Sequence, residues 1–113
     1  MQIPNADGAV IDPAKLHGYL LSRNHPVGRF KAAFFLTLGY TSEGWRQLEA
    51  DLRGQHLSQA GTREEKTRYG QKYAIRATLI GPSGRSAEMV SVWVVRADEE
   101  FPRFLTAYPE GGR

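Results

Sequence analysis

The chain has no cysteine among its 113 residues, which excludes disulfides, thiolate nucleophiles and cysteine-ligated zinc. Its three histidines, His17, His25 and His56, lack the paired spacing of a zinc-binding helix, and its acidic residues form no calcium loop. No metal and no cofactor are therefore expected. No apolar run approaches the roughly 20 residues of a membrane-spanning helix. The start Met1-Gln2-Ile3-Pro4-Asn5-Ala6-Asp7 has no basic region followed by an apolar core, so a cytoplasmic chain with no membrane contact is expected. An excess of one charge is also missing, since 15 Lys and Arg against 12 Asp and Glu leave only +3. A polyanionic partner would have to be recognised through the local placement of cations. Phosphate-loop and dinucleotide fingerprints are absent too. Gly81-Pro82-Ser83-Gly84 lacks the following lysine and the strand-to-helix context, and reads as a hairpin turn.

What is present is concentrated in Asn24-His25-Pro26-Val27-Gly28-Arg29-Phe30-Lys31-Ala32-Ala33-Phe34-Phe35, where a titratable base and two cations flank an apolar face. Pro26 suits a first helical turn, with Asn24 or His25 just outside as the cap. Phe30, Ala33, Phe34, Thr37 and Leu38 recur at three and four residue steps as one buried stripe, and Gly39 offers a left-handed stop. His25 stands at the helix N-terminus, where anions are favoured.

Before this helix, Val10 and Ile11 fit a brief edge strand. Asp12-Pro13 is a cap followed by a first-turn proline, and Leu16, Tyr19 and Leu20 mark a first helix from about Pro13 to Leu21. A third helix begins at Thr41 or Ser42, turns Trp45, Leu48 and Leu52 inward and ends near Gly54. The stretch from Gln55 to Glu65 reads as a loop. From Lys66 the period becomes two. Tyr69, Tyr73, Ile75, Ala77 and Leu79 share one face, with Tyr69 and Tyr73 in the core, and Lys66, Arg68, Lys72 and Arg76 share the other. A hairpin then leads into Ala87 to Arg96, and a last strand follows at Arg103-Phe104-Leu105-Thr106-Ala107-Tyr108. The expected fold is α+β, with N-terminal helices on one face of a small antiparallel meander. It is read as a single domain over residues 1–113: helical over about 12–54, sheet over about 66–108, and a flexible tail at 109–113.

Acid-base chemistry on RNA needs a base for the 2′-hydroxyl, an acid for the leaving oxygen and cations for the phosphoryl oxygens. His25 fits either proton-transfer role, Lys31 with the neighbouring Arg29 could hold the phosphate, and Thr106 or Tyr108 could orient or donate. Thr106 and Tyr108 share a strand face, while Arg103 points to the other unless a bulge intervenes. Arg29, Arg68, Lys72, Arg76 and Arg103 are the candidate nucleic-acid contacts. Each assignment has a plain structural alternative. His25 can be only a helix cap, Lys31 a solvated helix residue, and the strand cations the wet side of an antiparallel sheet. Trp45 and Trp93 lie in apolar patterns and are read as core.

Three stretches, VIDPAKLHGYLLSRNHPVGRFKAAFFLTLGY, YGQKYAIRATLIGPSGRSAEMVSVWVV and PRFLTAYP, resemble an uncharacterised bacterial family of roughly this length. Its pattern of His-Pro, then Gly and Lys-Ala before an aromatic, matches His25, Pro26, Gly28, Lys31, Ala32 and Phe34. Its later pattern matches Tyr69, Gly70, Gln71, Tyr73, Trp93, Pro102, Arg103, Thr106 and Tyr108. Beside the lysine this chain has Phe30 where many members carry a further basic residue or His. Such domains occur beside a small partner gene, in the manner of toxin–antitoxin pairs, and at the C-termini of polymorphic toxins. They resemble the metal-independent ribonuclease toxins that include barnase, EndoU and RelE. The resemblance implies a toxin that cleaves RNA, partnered by a cognate antitoxin or immunity protein. A non-enzymatic module that binds nucleic acid or protein through the basic sheet face is the alternative, and a second copy of the chain is a further candidate partner.

Overall fold

The period-two segments form a four-stranded antiparallel meander, in the order β1-β2-β3-β4, in the computed structural model, which describes residues 2–26 and 28–110. The strands are β1, Thr62–Thr67; β2, Gly70–Ile80; β3, Ser86–Arg96; and β4, Pro102–Pro109. Register fixes the two faces, because directly paired residues point the same way and successive ones alternate. Tyr73 pairs with Trp93 and Trp93 with Phe104, while Ile75 pairs with Ser91 and Ser91 with Ala107. These rows belong to the face that meets the helices. On the opposite face run the rows Lys72–Val94–Arg103, Ala74–Val92–Thr106 and Arg76–Val90–Tyr108.

The helical half supplies the other side of the core. Asp12 caps α1, Pro13–Lys15, its carboxylate accepting from the Ala14 N–H at 2.9 Å with proline in the first turn. The helix widens into a π-type turn over Leu16–Leu20, which buries Leu16 and Leu20. α2 is Arg29–Thr37, and α3 is Trp45–Asp51 with a π-type continuation over Leu52–His56. Leu16, Leu20, Phe35, Leu48 and Leu52 pack with Tyr73, Ile75, Leu79, Met89 and Trp93 in one core, each buried side chain contributing roughly 1.5–3 kcal/mol. Among the described residues, no helix is long and apolar enough to cross a membrane.

Several sequence expectations need correction. α2 begins after Gly28, so Pro26 precedes the helix, and its buried residues are Ala32, Phe35 and Leu38, with Ala33 and Thr37 exposed and Phe34 half-buried. The side chain of Phe30 lies outside the described residues. Close approach sets this face: a Cβ on Gly28 would stand 2.0 Å from the Tyr19 carbonyl oxygen, so glycine lets the helix start lie directly on the π-type turn. Ala32, one turn on, continues the small-residue contact face. Gly39 does end the helix in the left-handed region, at φ +99°. α3 runs through Gly54 to His56 rather than stopping there.

The segment read as a loop up to Glu65 contains most of β1, and a tight turn at Arg68 and Tyr69 separates Lys66 from Lys72. Tyr69 is 67% exposed at this turn, not in the core as the alternation predicts. Val10 forms an isolated parallel bridge to Arg103 in place of an edge strand. At the far end β4 includes Pro109, and residues 111–113 of the predicted tail lie outside the described residues, as do Met1 and Val27.

A polar pair, His56 and Ser91, lies wholly inside. His56 accepts at Nδ1 from the Ser91 hydroxyl at 2.8 Å and donates from Nε2 to the Ala77 carbonyl at 3.2 Å. The Ser91 oxygen in turn accepts from Trp93 Nε1 at 2.9 Å. Each buried polar atom thus has a partner, as burial requires.

Candidate functional site

The bulge in β4 decides what the sheet presents. Register shifts between Val92 and Trp93, with Phe104 opposite Trp93 and Thr106 opposite Val92, so Leu105 is the extra residue. The intervening bulge returns Arg103 to the face of Thr106 and Tyr108, whereas strict alternation would send it to the other side. Lys31 reaches this strand from the first turn of α2, which Gly28 places against Tyr19.

The Lys31 ammonium donates to Thr106 Oγ1 at 2.8 Å and to the Tyr19 hydroxyl at 3.1 Å. It also lies 5.4 Å from the Tyr19 ring centre and 5.7 Å from that of Tyr108, within cation–π range of both. Tyr19 and Thr106 hydroxyls are 3.3 Å apart. Burial alone would raise the Tyr19 pKa. Its hydrogen bonds with Thr106 and Lys31, with the charges of Lys31 and Lys15, outweigh burial and hold the phenol below its ordinary range. A phenol so placed releases its proton more readily than a free tyrosine.

His25 stands on the other side of Tyr19, with ring centres 5.0 Å apart in an edge-on arrangement. Its Nδ1 accepts from the Gly28 N–H at 3.0 Å, which assigns the ring proton of the neutral form to Nε2. His25 is therefore both a cap ahead of α2 and part of the site wall. Tyr19 and His25 border an open depression of about 510 Å³ completed by Asp12, Ala14, Lys15, Gly18 and Leu105. A smaller hollow of about 120 Å³, sharing Asp12, Lys15 and Leu105, continues toward Arg96 and Arg103.

Lys31, Thr106 and Tyr108 thus meet in one cluster, and His25 adjoins it through Tyr19. The predicted cationic contacts are more dispersed. Arg29 is exposed on the first turn of α2. Lys72 and Arg76 lie on the face shared with Tyr108 but pair with Glu65 at 3.5 Å and Glu110 at 3.6 Å. Arg103 makes a two-pronged contact with Glu99 at 2.7 and 2.8 Å, and Glu99 is held below its usual range by that guanidinium. Arg68 stacks over Tyr69 at 5.0 Å in the β1–β2 turn, away from the cluster. Among the described residues, no three His, Asp or Glu side chains gather as a metal ion would require.

Sequence reasoning missed Tyr19 and Lys15. Tyr19 sits in the same helical stripe as Leu16 and Leu20, and nothing in the spacing shows that its hydroxyl reaches a strand 87 residues later.

The fold class defined by these elements is α+β, with a helical layer on a four-stranded antiparallel meander and a polar cluster at the last strand. The chain belongs to the family described as a domain of unknown function, DUF6883, which it matches over residues 2–111. It is similar in structure to a chain of the contact-dependent growth inhibition toxin–immunity protein complex from Klebsiella pneumoniae 342, with a TM-score of 0.67 and 24% identity. That likeness covers 95% of this chain and 97% of the other. No curated protein matches the chain in sequence.

Proposed function

We propose that this chain is an RNA-cleaving toxin domain that works by side-chain acid-base chemistry in the cytoplasm and is held in check by an immunity protein. The observation that carries this reading is the convergence of Lys31, Tyr19, Thr106 and Tyr108, with the Lys31 ammonium at its centre. A cation flanked by two phenols, one of them with a lowered pKa, supplies what 2′-hydroxyl attack on a phosphodiester needs.

In this reading Tyr19, as phenolate, accepts the proton of the ribose 2′-hydroxyl. The freed 2′ oxygen bonds to phosphorus while Lys31 faces the non-bridging oxygens. The bond from phosphorus to the 5′ oxygen breaks, and that oxygen takes a proton from Tyr108. The products are a 2′,3′-cyclic phosphate and a 5′-hydroxyl. Thr106 holds the ammonium in place, and His25 lines the substrate depression beside Tyr19.

The similar solved structure comes from a toxin–immunity protein complex, and this reading takes the chain as the toxin member. The test is induced expression in a bacterial host beside Lys31→Met, matched for soluble protein. Arrest with fragmented RNA in the parent alone supports the proposal. Unimpaired growth with intact RNA at full soluble expression contradicts it and leaves binding through the basic sheet face as the better reading.

A further inference from the structure

We infer that the depression beside Tyr19 is a nucleobase pocket that selects guanine, read by Asp12 and Lys15. The inference rests on the ribonuclease reading for its biological meaning, and its own chemistry is independent of catalysis. Tyr19 belongs to both parts of the site. Its ring borders the depression, and its hydroxyl bonds to Lys31, so a base seated there has its own ribose and 3′ phosphate directed at the cluster.

The lining supplies a flat ligand with two kinds of contact. Tyr19, His25 and Leu105 give aromatic and apolar walls, and the edge-on arrangement of Tyr19 and His25 leaves ring surface for stacking. About 510 Å³ is ample for a nucleobase. The charged lining residues are Asp12 and Lys15, three positions apart at the two ends of one helical turn in which the Lys15 N–H bonds the Asp12 carbonyl at 2.9 Å.

A carboxylate only accepts hydrogen bonds and an ammonium only donates. Guanine presents, along one edge, the O6 acceptor followed by the N1–H and N2–H donors, so it can occupy both carboxylate oxygens and the ammonium together. Uracil offers a single imino donor between two acceptors. Adenine and cytosine each offer one amino group beside acceptors. A site with one carboxylate and one ammonium therefore makes more hydrogen bonds to guanine than to the other bases.

Asp12 also caps α1, and this permits a clean test, because asparagine is as good a cap as aspartate. Asp12→Asn keeps the bond to Ala14 N–H but replaces one accepting oxygen with a donor. Two measurements are made on the whole chain: affinity for the four ribonucleoside 3′-monophosphates, and cleavage of oligoribonucleotides that differ at one base. The inference requires tighter binding of the guanosine nucleotide by about tenfold or more, and wherever RNA is cleaved the cut falls on the 3′ side of guanosine. In Asp12→Asn, with an unchanged melting temperature, both preferences shrink to within about threefold. Equal binding of the four nucleotides by the parent, or an undiminished guanosine preference in Asp12→Asn, overturns the inference. Guanosine-selective binding that Asp12→Asn removes, without cleavage of any RNA, upholds the pocket and overturns the ribonuclease reading.

Discussion

Replacing Tyr19 by phenylalanine removes one oxygen and leaves the ring in place against His25. The oxygen has two partners, Lys31 at 3.1 Å and Thr106 at 3.3 Å, while the shorter bond from Lys31 to Thr106 at 2.8 Å survives. A hydrogen bond of this kind contributes about 1 kcal/mol net, so the loss of stability stays near 1–2 kcal/mol and the variant folds. The catalytic loss is larger, because a positioned general base is worth about 10²- to 10⁴-fold. The pH profile separates the roles. In the parent, kcat/KM rises with pH as the Tyr19 phenol loses its proton, along a limb below the ordinary phenol value of 10.0 because Lys31, Thr106 and Lys15 favour the phenolate. In Tyr19→Phe that limb disappears. Initial rates on a short oligoribonucleotide, across neutral to alkaline pH, provide the assay. A variant that keeps its rate within about threefold of the parent, with the same pH profile, would refute the role of Tyr19.

Lys31→Met keeps the apolar stem but removes the cation, so cleavage falls by about 10²- to 10³-fold, and the Tyr19 phenol titrates at higher pH, as read by difference absorbance against Tyr19→Phe. Gly28→Ala drives a methyl group against the Tyr19 carbonyl oxygen at 2.0 Å; thermal unfolding should show a loss of about 1–3 kcal/mol, together with impaired cleavage as α2 moves Lys31 off Thr106. His56 is buried neutral with its pKa below the ordinary 6.5, chiefly through burial. The unfolded chain therefore binds the extra proton first, and the contribution of His56 is full above pH 6.5 and declines as pH falls toward the folded value. His56→Gln, lower in stability overall, should show a flatter fall in melting temperature than the parent between pH 7 and 5. Tyr69→Ser, at an exposed turn, should change melting temperature and cleavage little, within about 0.5 kcal/mol.

Much of the order of helices and strands was legible because local chemistry announces it, although most of β1 falls in the stretch that reads as loop. Asp12-Pro13 capped a helix, Gly39 stopped one, and Gly81 to Gly84 turned a hairpin as the residues indicate. Three features escaped the local pattern. The burial face of α2 follows from Gly28 resting on Tyr19, which helical periodicity alone cannot show because several registers of RFKAAFFLT present an apolar stripe. The position of Arg103 follows from a bulge at Leu105, and a single inserted residue reverses every parity argument beyond it. The alternation from Lys66 to Leu79 continued through a two-residue turn at Arg68 and Tyr69, since the even spacing of the pattern persists across it. Lys31, Thr106 and Tyr108, singled out by residue type, meet in one cluster, whereas Tyr19 beside them could not be singled out. A tyrosine among leucines on a helical stripe reads as core, and only the fold shows its oxygen emerging beside the strand.

The central claim is that the Lys31 cluster cleaves RNA without a metal ion. The most direct measurement is incubation of the purified chain with RNA in excess chelator, beside Lys31→Met, with the fragment ends identified by mass spectrometry. The account predicts fragments ending in 2′,3′-cyclic phosphate from the parent and intact RNA from the variant. Intact RNA from a folded parent, or equal cleavage by both proteins, would contradict it.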